Sequence, residues 1–345
     1  MSDAAAGGLG RRIASSLERI TLHKVREEGF RNAAINQPRI ATSQSVLALQ
    51  NGPLAEGDSA IVMAAGPSLH RRRVAEQIKA SGYRGVIVAT ESALGYCLRN
   101  DLVPDLIVTL DPHPTRIVRW LGDPALSEAR LGADDYFRRQ DLEPHLAGDQ
   151  FAANQELLEL VNRFGSRVGA AICTSAAPEV VDRIYGSGMS PYWWNPFYDD
   201  YDQPESLTRK IHQMNGLPCL NAGGNVGSAA WVLASAVLGK KTVAVVGMDF
   251  GYYHDTPYDK TQYYREIVDL VGPDRLDEVY VRIHNPHVGT DFYTDPAYLW
   301  YRDSFLEMVR QVDCRTVNCT EGGILIGEGL TVMPLAEFLT STGSR

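Results

Sequence analysis

Two glycine-bearing turns lie beside apolar runs, and each leads into a helix. Gly66-Pro67-Ser68-Leu69 follows IVMAA at 61–65, and Ala222-Gly223-Gly224-Asn225-Val226-Gly227 precedes a helical stretch over 228–238. Main-chain amides at the start of a helix cradle a phosphate without a lysine. The second turn lacks the Lys-Ser/Thr of a P-loop, so what it offers is close backbone approach. Each turn also has a plain structural use: Pro67 suits a first helical turn, and paired glycines permit tight helix–sheet packing. Taken together, the two turns point to a nucleotide or a nucleotide-activated substrate.

Further candidates stand at the ends of other apolar runs. Thr90 follows GVIVA at 85–89, Asp111 follows LIVTL at 106–110, and Asp249 follows TVAVVGM. The two carboxylates suit Mg²⁺ held against a polyphosphate, or ribose hydroxyls; capping the helix after Pro112 is the alternative for Asp111. His113, His254, His284 and His287 fall in loops or at strand ends, and a near-neutral imidazole is a natural general base. Each is equally readable as a surface residue. Tyr252, Tyr253, Tyr263 and Tyr264 suit stacking on a base or sugar, or packing in a core. Arg71, Arg72 and Arg73 read as a solvated basic patch or as phosphate ligands.

These residues need a frame. IVMAA, GVIVA, LIVTL, AAICT at 170–174 and TVAVV are separated by helical stretches, which argues for a parallel sheet covered on both faces. The expected fold is α/β, a Rossmann-like parallel sheet with an N-terminal helical segment and a C-terminal α/β extension. Ile13, Leu17, Ile20, Leu22 and Val25 share one helical face, and helical character continues over 35–49. The breakers at 51–58 end this lead-in, giving a division into 1–57, 58–255 and 256–345. The acidic stretch 122–160 includes a helix at QELLELVNRF. YWWNPFY at 192–198 reads as a strand or an aromatic lid, and 251–278 as a long loop or a helical excursion.

Composition narrows the partners. The 345 residues carry a net charge of −9, which lacks the basic field of a nucleic-acid binder. Five scattered cysteines form neither a zinc pattern nor a disulfide framework. No run is long and apolar enough to cross a bilayer, and the first twenty residues have no apolar export segment. Cytoplasm is the expected compartment.

The motifs as a set resemble the MptE-like family, which includes 6-hydroxymethylpterin diphosphokinase and the bacterial motility accessory factors. The residues that carry it are Gly66-Pro67-Ser68-Leu69, Val103-Pro104-Asp105-Leu106 leading to Asp111-Pro112, Gly223-Gly224-Asn225-Val226-Gly227, and Val246-Gly247-Met248-Asp249. Thr294-Asp295 and the run Val317 to Gly323 are similar to the tail of the motility accessory factors. The resemblance implies transfer of a nonulosonic acid from a CMP-activated donor to a protein or glycan acceptor, with no cofactor. Nucleotide and phosphate contacts would come from Gly66, Pro67, Ser68, Leu69, Thr90, Gly223, Gly224, Asn225, Gly227 and Asp249. Substrate contacts would come from Asn318, Glu321, Gly322 and Tyr263.

Bacterial sialyltransferases with a related fold show a similar Gly-Pro-Ser-Leu turn and a catalytic histidine shortly before the C-terminal helix. By chain order His287 takes that place, with His284 second; its setting His-Asn-Pro-His-Val-Gly-Thr-Asp departs from the sialyltransferase spacing. His254 and Asp111 complete the catalytic candidates. Asp111 stands where the sialyltransferases carry Asn, and a carboxylate there favours the other branch: a diphosphokinase using ATP, with Asp111 and Asp249 on Mg²⁺. A nucleotide-binding accessory protein without turnover is the third reading.

Overall fold

The structure is a computed structural model that describes residues 8–134, 136–139 and 148–342. Part of the acidic stretch over 122–160, and the side chains of Leu17, Ile20, Leu22 and Val25, lie outside the described residues. The central parallel sheet contains β1 (Gln44–Ser45), β2 (Ser59–Met63), β3 (Val86–Thr90), β4 (Leu106–Thr109), β5 (Gly169–Cys173) and β6 (Ser190–Pro196). It also contains β7 (Cys219–Leu220), β8 (Thr242–Val246), β12 (Arg315–Asn318) and β13 (Leu330–Val332). Their spatial order is β1-β6-β5-β4-β3-β2-β8-β12-β13, with β7 on β6.

The sequence builds this sheet because its strands are continuous apolar runs, buried on both faces. Side chains alternate between faces, and the two cores divide accordingly. Ile61, Met63, Ile87 and Ile107 pack with Val74, Leu94, Leu157 and Val180 on one side. Ala60, Val62, Val88 and Val108 pack with Ala230, Trp231, Phe305 and Val309 on the other. The run YWWNPFY is therefore mostly strand: Trp193 and Trp194 of β6 are fully buried, one in each core.

β2 is the pivot. From it the chain steps outward through β3, β4, β5 and β6, then returns to place β8 on the other side of β2. Loops leaving β2 and β8 diverge, and a crevice opens outside their carboxyl ends.

The N-terminal segment is helical only to Ile40: α1 (Gly8–Ile40) is followed by the edge strand β1 and a 3-10 turn over Val46–Asn51. The helix does not continue to residue 49 because Ser45 caps a new start by accepting from the Leu47 amide, which buries Val46 and Leu49. β1 pairs with β6, and β12 with β8. The segments 1–57 and 256–345 thus complete the same sheet as 58–255. The stretch 251–278 holds β9 (Tyr252–Tyr253) and the helix Tyr264–Val271. β9 forms a small antiparallel sheet with β11 (Thr290–Thr294) and β10 (Val281–Asn285). Among the described residues no helix is long and apolar enough to cross a membrane.

One turn of α1 holds the crevice from behind. Asn32 Nδ2 donates to the carbonyls of Pro112 and Ser175, and Asn36 Nδ2 to those of Thr174 and Ala176. Spaced i, i+4, both amides face the same way and tie down the loops after β4 and β5. Asn36→Ala leaves two buried carbonyls without that donor, at a cost of about 1–3 kcal/mol. Urea unfolding should show a lower midpoint at unchanged slope; an unchanged midpoint would assign the docking of α1 to apolar packing alone.

Candidate functional site

A cleft of about 460 Å³ opens at the carboxyl ends of the strands. Its floor comes from 64–67 after β2, 90–92 after β3, 110–113 after β4, and 247–252 after β8. Ser175, residues 196–198 and the turn 221–227 close one side, and Tyr263, Tyr298, Trp300 and Tyr301 form an aromatic wall. Of the sequence-derived candidates, Gly66, Pro67, Thr90, Asp111, Gly223, Gly224, Asn225, Gly227, Asp249 and Tyr263 line this one space. Ser68, Leu69, His254, His287, Asn318, Glu321 and Gly322 are not among its lining residues.

The first glycine turn is closed by the protein itself. Asp249, 2% exposed, accepts from the Ser68 amide and, at 2.7 Å, from Ser68 Oγ. The Gly66 amide donates to the Gly247 carbonyl and the Leu69 amide to that of Gly66. Pro67 has no N–H, so every main-chain donor of 66–69 has an internal acceptor. The amides expected to cradle a phosphate at Ser68 and Leu69 are in this structure satisfied within the protein, by the Asp249 carboxyl group and the Gly66 carbonyl. Gly66 is glycine because a Cβ would lie 2.1 Å from Asp249 Oδ2. The helix after Pro67 is one turn, α2 (Ser68–Arg71), before left-handed Arg73 starts α3 (Val74–Ser81). Its arginines serve elsewhere. Arg71 lies over the Tyr253 ring, Arg72 donates to the Glu321 carbonyl, and Arg73 pairs with Glu76.

The second turn remains open to the cleft. Asn221 Oδ1 accepts from the Gly223 amide, and Asn225 caps the helix Val226–Val232 through the Ser228 amide. Helix geometry leaves the first-turn amides at Val226 and Gly227 without intrahelical acceptors. Gly224 has φ +82°, and a Cβ there would meet the Trp300 ring at 2.8 Å. A Cβ at Gly227 would meet Asn225 Oδ1 at 3.2 Å and Ala64 and Met248 at 3.5 Å, so the packing there is close without excluding a small side chain.

Beside Asp249 and the tyrosines, four ionisable groups face the same space: Asp111, His113, Glu91 and Arg116. Asp111 is exposed and accepts from the His113 amide at 2.8 Å, so α5 (Pro114–Arg119) is capped by His113 instead. His113 Nδ1 accepts from the amides of Thr115 and Arg116, both at 3.3 Å. That fixes Nδ1 as the acceptor, so Nε2 carries the hydrogen. Burial, with Arg116 beside it, holds the imidazole below its usual pKa range. Glu91, the first residue of α4 (Glu91–Arg99), is 3% exposed. Burial pushes its carboxyl up to about 8. Arg116 binds Asp134 through two nitrogens and lies 4.6 Å over the Tyr136 ring. Thr90 caps α4 by accepting from the Ala93 amide.

The remaining candidates support rather than line the cleft. Asn318 donates to the Leu325 carbonyl and accepts from the Thr320 amide, which occupies both ends of its side chain. Glu321 accepts from the Leu335 amide, and Gly322 and Gly323 pass so close to Asp249 and Tyr253 that side chains would collide. Asn318, Glu321 and Gly322, expected at the substrate, are not among the residues lining the cleft, and Gly322 and Gly323 back Asp249. His287 lies in the exposed turn between β10 and β11, its amide bonded to Asn285. His284 on the same hairpin pairs with Asp291 at 2.6 Å, and His254 is exposed after β9. The histidine that lines the cleft is His113.

Glu91 is the lining residue that sequence reasoning left unused, and His113 is the one of four histidine candidates that reaches the cleft; a charged residue directly after the buried run VIVAT was the available signal for Glu91. For a metal, no three His, Cys, Asp or Glu side chains gather among the described residues.

His113 gives a pH signature. The unfolded imidazole takes a proton near its usual pKa while the folded one resists, so the unfolded state binds more protons below about 6.5. Stability should fall as pH drops through that window. His113→Asn keeps a capping side chain that does not titrate and should flatten the fall, as read by melting temperature between pH 7 and 5. Parallel curves for the two proteins would remove His113 as the cause.

Residues 31–121 match the family model described as 6-hydroxymethylpterin diphosphokinase MptE-like. That range contains β2, β3 and β4 with Gly66, Glu91, Asp111 and His113. No curated protein matches the sequence. Among solved structures, a MAf glycosyltransferase from Magnetospirillum magneticum AMB-1 aligns with a TM-score of 0.50 and 15% identity, over 92% of this chain and 41% of that one. The chain spans about two fifths of that structure's length, and the likeness is one of fold. Residues 31–121 are thus similar to the MptE-like family model, and the α/β fold is similar to that of a motility-accessory-factor (Maf) glycosyltransferase.

Proposed function

We propose that this protein is a transferase that binds a nucleotide-activated donor in the cleft. Its most specific form is a glycosyltransferase moving a nonulosonic, sialic acid-like sugar from a CMP donor to a protein or glycan hydroxyl. The observation that carries this reading is the open turn 221–227 at the β2–β8 crevice, where a helix N-terminus faces an aromatic wall across about 460 Å³. The fold shared with a glycosyltransferase supports it.

The residues divide the work as follows. The donor phosphate lies on the amides following Gly224, where the helix dipole favours negative charge. His113 Nε2–H and Arg116 offer further donors to an anionic oxygen. Tyr263, Trp300 and Tyr301 give flat surfaces for base or sugar. Asp111 takes the proton from the acceptor hydroxyl as the anomeric carbon is attacked. The bond from that carbon to the phosphate oxygen breaks, and CMP leaves with its charge held at the helix start.

The MptE-like match over 31–121 favours one second reading, pyrophosphoryl transfer from ATP to a hydroxymethyl alcohol.

A thermal-shift panel of CMP, CDP, ATP, AMP and GTP tests the site, because a ligand of the folded state raises its melting temperature. CMP should give the largest rise, unchanged by EDTA. An ATP response that EDTA abolishes would transfer the assignment to the kinase reading, and no response to any nucleotide would end both. Asp111→Asn should keep CMP binding and lower turnover by about 10²–10⁴-fold.

A further inference from the structure

We propose that Glu91 is a specificity residue of the cleft: a neutral carboxylic acid whose O–H donates to an anionic oxygen of the bound donor. The inference rests on the reading of the cleft as a nucleotide site and names a contact within it.

Glu91 lines the cleft at the first position of α4, yet the residue is 3% exposed. Its Oε2 is fully buried and has no hydrogen-bond partner. A buried polar atom left unpaired is costly, and a ligand seated in the cleft would remove that cost. An ionised carboxylate at this place would repel a phosphate or carboxylate. A protonated one binds it instead, as the strong O–H···O⁻ type of bond.

The surroundings favour the neutral form. The N-terminus of α4 draws Glu91 toward ionisation, but loss of water opposes it and prevails, as the raised pKa shows. Asp111, across the cleft floor at the end of β4, pushes the same way. The other charged groups lining the space are His113 and Arg116 on α5 and Asp249 after β8, with the tyrosines of the wall. Asp249 and Arg116 are already engaged with Ser68 and Asp134. An arriving anion would raise the proton affinity of Glu91 further, so binding and protonation reinforce each other.

The test measures CMP and cytidine binding by calorimetry from pH 6.5 to 9.5, in wild type, Glu91→Gln and Glu91→Ala; if another nucleoside monophosphate gives the largest thermal shift, it and its nucleoside are used. Glutamine keeps a donor and does not titrate. Wild-type affinity for the monophosphate should fall above pH 8, whereas Glu91→Gln should stay within a few-fold of wild type at pH 7 and show no such fall. Glu91→Ala should lose about 10- to 100-fold for the monophosphate and little for the nucleoside. Melting temperatures confirm folding, and if Glu91→Ala does not fold, the pH profile of Glu91→Gln decides.

Equal monophosphate affinity in Glu91→Ala and wild type would overturn the inference and leave the nucleotide site standing. So would an identical pH profile in Glu91→Gln. An equal loss for nucleoside and monophosphate would move the contact from the anion to the base. Wild type that binds no nucleotide would sink the nucleotide site itself.

Discussion

The carboxylate of Asp249 holds the pivot of the sheet together. It ends β8 and accepts both the amide and the hydroxyl of Ser68, which follows β2. Its own carbonyl accepts the Ile324 amide from the turn after β12. Three loops from three adjacent strands are pinned at one buried point. The glycines around it follow from this: a Cβ at Gly66 or Gly323 would lie 2.1 Å from an Asp249 oxygen, and one at Gly322 would lie 2.6 Å from Tyr253 Oη. Because the Asp249 carboxyl group closes the start of α2, the proposed anion site falls to the other turn. The internal bond thereby decides which of two similar glycine loops is free for a ligand.

The sheet was legible because its strands announce themselves. Runs such as AIVM, VIVA and VAVV are apolar at every position and rich in β-branched residues, as a strand covered on both faces requires. The short strands were not: Gln44–Ser45, Cys219–Leu220 and Leu330–Val332 are too brief for a period, and pairing with a neighbour is all that makes them strands. The end of α1 was misplaced for a related reason. Val46 and Leu49 keep helical spacing, but they bury a 3-10 turn started by Ser45.

The site was legible as a set of positions and illegible as a set of roles. Topology brings strand ends together, so Gly66, Thr90, Asp111 and Asp249 had to converge once the strands were placed. Whether the amides of 66–69 are free depends on a residue 181 positions away, and no local pattern records that. Chain order put a histidine before the C-terminal helix, but His287 belongs to a hairpin whose turn faces solvent. His113 was one of four equal candidates. What distinguishes it is its capping of α5, which fixes the tautomer and the nitrogen presented to the cleft.

Three carboxyl groups in one small space would be a poor anion site if all behaved alike. Their surroundings separate them. Asp249 is buried and bonded to Ser68, so its carboxyl group is committed to the fold. Glu91 is buried with one oxygen unsatisfied, so it keeps its proton and can donate. Asp111 is exposed, with one oxygen on the His113 amide, and is the member placed to accept a proton. Environments that drive like groups apart are how a single site holds an acid and a base at one pH. On this reading the net charge of −9 does not oppose an anionic donor, because among the described residues of the cleft Glu91 is held neutral and Asp249 is bonded to Ser68, while Asp111 lies where the acceptor hydroxyl must lose its proton.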